Sequence, residues 1–120
     1  MRLVILALAT LMAACGDDNL IACTAEARSG LAVTVRDSVS GSPLTSGVEV
    51  VARDGEYADT ARSSLIAGGI YSLAVERAGT YEVTVHHPAY AEWHRTGVTV
   101  TRDECHVQTV GLLARMQARP

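Results

Sequence analysis

From residue 31 onward, apolar and polar side chains alternate along most of the chain, and turn formers interrupt the alternation roughly every ten positions. In "LAVTVRD", Leu31, Val33 and Val35 fall on one side of an extended strand and Ala32, Thr34 and Arg36 on the other. Successive strand side chains point to opposite faces, so one set is the candidate core. "VEVVARD" groups Val48, Val50 and Ala52, "IYSLAVE" groups Tyr71, Leu73 and Val75, and "TYEVTVH" groups Tyr81, Val83 and Val85. "GVTVTRD" and "HVQTVGLLA" supply two more strands, and "YADTARSSL" a poorer one of edge type. The connecting stretches "DSVSGSPL", "RDGEY", "AGG", "ERAG" and "HPAYAE" are rich in turn residues. Asp54-Gly55 is the strongest hairpin signal among them.

Short strands at this spacing predict an all-β fold, a seven-stranded sandwich of immunoglobulin type. The chain has 120 residues, enough for one such domain and an export segment. Within the sandwich, "VRDSVSGSPLTSGVEV", "GGIYSLAV", "AGTYEVTVHHPAY" and "GVTV" follow one another in an order that resembles the carboxypeptidase regulatory-like domain, a transthyretin-like sandwich. That family ends a strand with valine-x-aspartate and follows it with a Gly-x-Pro-Leu turn, matched here by Val35, Asp37, Gly41, Pro43 and Leu44. A Gly-Thr-Tyr strand start is matched by Gly79, Thr80 and Tyr81, whereas the family's later Gly-Tyr stands here as Ala89-Tyr90. The resemblance spans residues 31 to 101 and implies a non-catalytic accessory or adhesion module, with no catalytic residues to carry over.

The first residues give an address. Arg2 precedes the uncharged run "LVILALATLMAA". As a helix this run spans roughly 18 Å, well short of the about 30 Å of a bilayer core. A basic start, a short apolar run and small residues make a secretory signal peptide. Leu11-Met12-Ala13-Ala14-Cys15 resembles the bacterial lipobox, with Met12 where that motif has leucine, valine or isoleucine. The resemblance implies that Cys15 is diacylated, with palmitate among its acyl chains, and becomes the mature N-terminus. Each buried methylene contributes about 0.8 kcal/mol, so two or three chains anchor a domain stably. Gly16 rather than aspartate after the cysteine favours the outer membrane, by resemblance to lipoprotein sorting. The expected division is therefore a signal peptide over 1–14, a lipidated N-terminus and tether over 15–30, and the sandwich over 31–120.

With Cys15 assigned to lipid, Cys23 and Cys105 remain as an even pair. In an oxidising compartment, two cysteines near the ends of a small domain predict a disulfide, here joining the tether to the start of the last strand.

Charge and composition then narrow the chemistry. The net charge is −3 with both signs interspersed, which argues against a nucleic-acid partner. All ten basic residues are arginine. A chain without lysine can be neither a Walker-type phosphate loop, nor a Schiff-base enzyme, nor a Ser-x-x-Lys acyl enzyme.

His86, His87, His94 and His106 suggest a metal only weakly. The adjacent His86 and His87 point to opposite faces of a strand, and the spacing of a metal set is missing. His94 is positioned to face one of them across "PAYAE". Asp54, Glu56 and Asp59 crowd one hairpin without the alternate-position ligands of a calcium loop, and read as an exposed polar turn. No cofactor is expected. The rival function is a small transthyretin-like hydrolase. Such enzymes end in Tyr-Arg-Gly-Ser, whereas this chain ends "RMQARP".

The loop "HHPAYAEWHR" gathers Tyr90, Trp93, His94 and Arg95. Aromatics beside an arginine suit protein or glycan recognition, or else close one end of the sandwich. The expectation is a lipid-anchored, non-enzymatic envelope module whose candidate recognition patch is these four residues, with an envelope protein or glycan as partner.

Overall fold

The structure, a computed structural model, describes residues 21–65 and 68–120. Seven strands run β1 Ser29–Asp37, β2 Glu49–Asp54, β3 Tyr57–Ala61, β4 Ile70–Val75, β5 Gly79–His87, β6 Tyr90–Val100 and β7 Val110–Met116. They form two sheets, β4-β1-β7 and β3-β2-β5-β6. All pairs are antiparallel except β1 with β7, which run parallel. The described residues contain no helix. This is the predicted all-β sandwich.

β1, β2 and β5 bury the side chains that the alternation selects. Leu31, Val33, Val35, Val50, Ala52, Val83 and Val85 lie in one core shared by both sheets, fully shielded from solvent. Each fully buried aliphatic side chain contributes about 1.5–3 kcal/mol. The two buried tyrosines keep their hydroxyls paired. Tyr71 donates to the Leu44 carbonyl at 2.9 Å and Tyr81 to the Arg77 carbonyl at 2.8 Å. The second bond, reaching four residues upstream from near a strand start, is the corner device of immunoglobulin-like sandwiches. Asp54 pairs with Tyr57, so Gly55 and Glu56 form the two-residue hairpin loop that Asp54-Gly55 predicts.

Four expectations change. In β4, Tyr71 and Leu73 are buried as expected, but Ala74 replaces Val75, which is 54% exposed. Ala74 and Glu76 take positive φ, 54° and 50°, a region that costs a residue with a Cβ about 1–2 kcal/mol. Tertiary bonds hold this break: the Ala74 N–H donates to the Asp59 carboxylate at 2.9 Å, and the Glu76 N–H to the Arg28 carbonyl at 2.8 Å. Gly30 makes room for it, since a Cβ there would stand 2.7 Å from the Ala74 carbonyl oxygen.

Second, the last strand starts at Val110, later than "HVQTVGLLA" suggests. Cys105 and His106 instead sit in a turn, where Asp103 Oδ1 accepts both their N–H groups at 2.8 Å. The disulfide therefore joins that turn, not the strand.

Third, Asp54, Glu56 and Asp59 are not a single exposed turn. Asp54 binds the Arg77 guanidinium at 3.0 Å, and Asp59 faces inward to Ala74. At the front of the domain, β1 begins at Ser29, two residues earlier than the expected boundary.

Candidate functional site

The two ends of the sandwich carry different chemistry. At one end Cys23 and Cys105 are disulfide-bonded, with Cα atoms 5.2 Å apart across a sequence separation of 82. Pairing the cysteines brings the residues that follow them together. Thr24 Oγ1 lies 3.0 Å from His106 Nε2, and His106 Nδ1 lies 2.7 Å from Glu76 Oε1. An ionised carboxylate only accepts, so in the neutral ring Nδ1 carries the proton and Nε2 accepts from the Thr24 hydroxyl.

His106 is 7% exposed, the one buried polar residue among those described. Glu76 also accepts from the Arg28 N–H at 2.8 Å and more weakly from the Val107 N–H at 3.4 Å. The Arg28 amide, followed by His106, holds the Glu76 carboxyl below its ordinary value. The His106 and Cys105 amides do the same for Asp103. Carboxylates depressed in this way stabilise the fold above the ordinary carboxylate range and lose that contribution as pH falls through their folded values. Carboxylate, imidazole and hydroxyl in line is also the order in which a hydroxyl is activated as a nucleophile.

At the opposite end, Asp37 closes β1. Its Oδ1 accepts the Val39 and Ser40 N–H groups at 2.8 Å, and its Oδ2 accepts the Tyr90 hydroxyl at 2.7 Å. The Ser40 amide, the Tyr90 hydroxyl and the Val39 amide, in that order, lower Asp37 to about 2. The same bond raises Tyr90. The His87 ring meets the Tyr90 ring edge-on at 4.9 Å. Residues 117–119, which run on from β7, stitch that sheet to the start of β6 in the other: the Ala91 N–H donates to the Gln117 carbonyl, the Arg119 N–H to the Ala89 carbonyl, and Arg119 Nε to the Tyr90 carbonyl. A shallow pocket of about 370 Å³ lies here, lined chiefly by Glu49, His86, His87, Tyr90, Glu92 and Arg119.

The expected patch is divided. Tyr90 is committed to Asp37 and closes the sandwich. Trp93 pairs in register with Val85 and Arg95 with Val83, on the inward side near the open edge, where the guanidinium sits 5.0 Å over the indole. His94 pairs with Thr84 on the outward side and contacts Glu82 at 2.7 Å. His94 therefore faces neither His86, which pairs with Glu92 at 3.1 Å, nor His87. Plain alternation along β6 sets His94 opposite Trp93 and Arg95, while two register shifts in the β5–β6 pair, one by Gly97 with φ 66°, bring Tyr90 and Val98 onto the same inward side as Trp93 and Arg95. Trp93 and Arg95 survive as neighbours; the four do not form one surface.

Among the described residues no group of three or more His, Cys, Asp or Glu is placed to hold a metal ion. Cys15 and the signal peptide lie outside the described residues. Sequence reading missed the Glu76–His106–Thr24 line, although one signal pointed to it: a Cys23–Cys105 bond brings Thr24 beside His106.

Compared with known proteins, the chain matches no family model and no curated protein.

Proposed function

We propose that this protein is a lipid-anchored envelope module of the carboxypeptidase regulatory-like type, non-catalytic, which presents one end of a β-sandwich to an envelope protein or glycan. The observation that carries the reading is the Cys23–Cys105 disulfide. It uses two of the three cysteines and leaves Cys15, at the end of an apolar run and two alanines, for the chemistry of an acyl acceptor.

The position of the disulfide also gives the module an orientation. Eight residue steps from Cys15 to Cys23 reach at most about 29 Å. The disulfide end is thus held close to the bilayer. β5 is nine residues long, roughly 30 Å of strand, so the Asp37–Tyr90 end stands that much further out. Trp93 lies toward that outer end, and its stacked Arg95 beside it. A truncated aromatic hot spot typically costs 2 kcal/mol or more of binding.

The test is a pull-down from detergent-solubilised envelope with wild type and Trp93→Ala, after both are shown to melt alike. Loss of a partner from the Trp93→Ala sample is expected. An identical partner list excludes the patch.

A small transthyretin-like hydrolase is the second reading, and the Glu76–His106–Thr24 line favours it. It ranks second because the same bonds already have a structural use: they fasten residues 24–28 to the 103–107 turn. Ester turnover by the purified protein that vanishes in Thr24→Ala would put it first.

A further inference from the structure

The start of β6 and the end of β7 meet across the seam between the two sheets. The Ala91 N–H donates to the Gln117 carbonyl at 2.8 Å, and Tyr90 bridges Ala118. Beside this closure lies a cleft of about 260 Å³, lined by Ala91, Glu92, Trp93, Arg115 and Gln117. Arg115 stands between the buried Ala114 and Met116, so alternation turns its side chain out of the core and into the cleft. Trp93 packs one part of its indole on the core and keeps another part on the cleft.

Two cations attend this one indole. The Arg95 guanidinium sits 5.0 Å over the ring, and Arg115 shares the cleft with it. Neither has a hydrogen-bonded or ionic partner among the described residues, whereas Arg28, Arg62 and Arg77 each hold a carboxylate. The cleft's one carboxylate, Glu92, is engaged by His86 at 3.1 Å. The side-chain amide of Gln117 is also without a partner among the described residues. The lining therefore offers positive charge and hydrogen-bonding groups that nothing in the chain answers.

We propose that this cleft binds an acidic sugar unit of an envelope polysaccharide, with the carboxylate on Arg115, hydroxyls on Gln117 and the ring against Trp93, while Arg95 supplies a second positive charge. An extended peptide added to a sheet needs free backbone groups along the strand edge, and here those of Ala91 and Gln117 are bonded to each other. Recognition falls to side chains, in a space smaller than the about 300 Å³ at which pockets for drug-sized ligands begin, so the bound unit is a compact one. A guanidinium takes a carboxylate through two parallel hydrogen bonds. An amide side chain both donates and accepts, as hydroxyl groups do, and an indole gives an apolar face. A pyranose ring that bears a carboxylate satisfies all three. The proposal rests on the reading of Trp93 as a recognition residue and narrows its partner to an anionic glycan.

Trp93 is the chain's only tryptophan, so its fluorescence reports the cleft directly. The full chain in detergent is titrated with trigalacturonate, with its methyl ester, which has the rings without the charge, and with triglutamate, which has the charge without the rings. Trigalacturonate is expected to shift the Trp93 emission saturably, and the other two to leave it in place. Arg115→Gln, at an exposed side chain, is expected to weaken trigalacturonate binding about tenfold or more with an unchanged melting temperature. Arg115→Lys keeps the charge but not the fork, and is expected to recover only part of the loss. No saturable shift with trigalacturonate, equal binding of the ester or of triglutamate, or wild-type binding by Arg115→Gln would each overturn the proposal. If the sugar fails while Trp93→Ala still loses a partner in the pull-down, the patch stands with a protein as its occupant; if both fail, the recognition reading falls too.

Discussion

Replacing Cys23 and Cys105 together with alanine removes a cross-link and leaves no stray thiol. Cys23 is exposed and Cys105 half-buried, so the change opens no large cavity, and the loss comes from the unfolded chain. The sequence separation is 82, and the loop-entropy relation for a closure of that length gives about 4.5 kcal/mol at 25 °C. Against a total stability of about 5–15 kcal/mol for a small domain, this is a large share. The folded state itself should persist in outline, because the Thr24–His106 and Arg28–Glu76 bonds still hold the segment in place. Urea unfolding with extrapolation to water is the assay. The midpoint is expected to fall, and the slope to rise, because an unlinked chain exposes more surface when unfolded. A loss below about 1 kcal/mol with an unchanged slope would refute the entropic reasoning.

Other positions give sharper local tests. Leu73→Ala, at a fully buried side chain, should cost about 2–5 kcal/mol, whereas Val75→Ala should fall within about 0.5 kcal/mol of wild type; comparable losses in denaturant melts would place Val75 in the core. Asp37, held at about 2 against an ordinary 3.8, contributes stability that is complete above its ordinary value and disappears as pH falls toward the folded one. An NMR titration should follow that carboxyl near its lowered value in wild type and find it raised in Tyr90→Phe, still below the ordinary value because the Ser40 and Val39 amides remain. An Asp37 that titrates identically in both proteins would mean that the hydroxyl bond is not formed. Gly30→Ala, which would push a Cβ to 2.7 Å from the Ala74 carbonyl, should destabilise the fold by about 1–3 kcal/mol, and a neutral thermal melt would show that β4 can shift.

Most of the sandwich was legible because period-two alternation survives wherever one face of a strand is buried, as at Leu31, Val33, Val35, Tyr81, Val83 and Val85. The hairpin was legible from Asp54-Gly55 for the same local reason. What failed was set by distant partners. Nothing in "LAVE" distinguishes Ala74 from Val75; the break comes from Asp59, fifteen residues away, and from the missing side chain of Gly30. Alternation along β6 already separates His94 from Trp93 and Arg95, but the placement of Tyr90 on their inward side follows from slippage of β6 against β5, which alternation along β6 alone does not encode. The line from Glu76 through His106 to Thr24 joins three segments of the chain, and only the cysteine pairing hinted at half of it.

The central claim is that Cys15 anchors this domain while Cys23 and Cys105 staple it. Intact-mass and non-reducing peptide mapping of protein extracted from the membrane tests both halves at once. The account predicts a chain beginning at a diacylglyceryl Cys15, with a single peptide pair linked through Cys23 and Cys105. A chain that retains residues 1–14, or one with an unmodified Cys15 thiol, would contradict it.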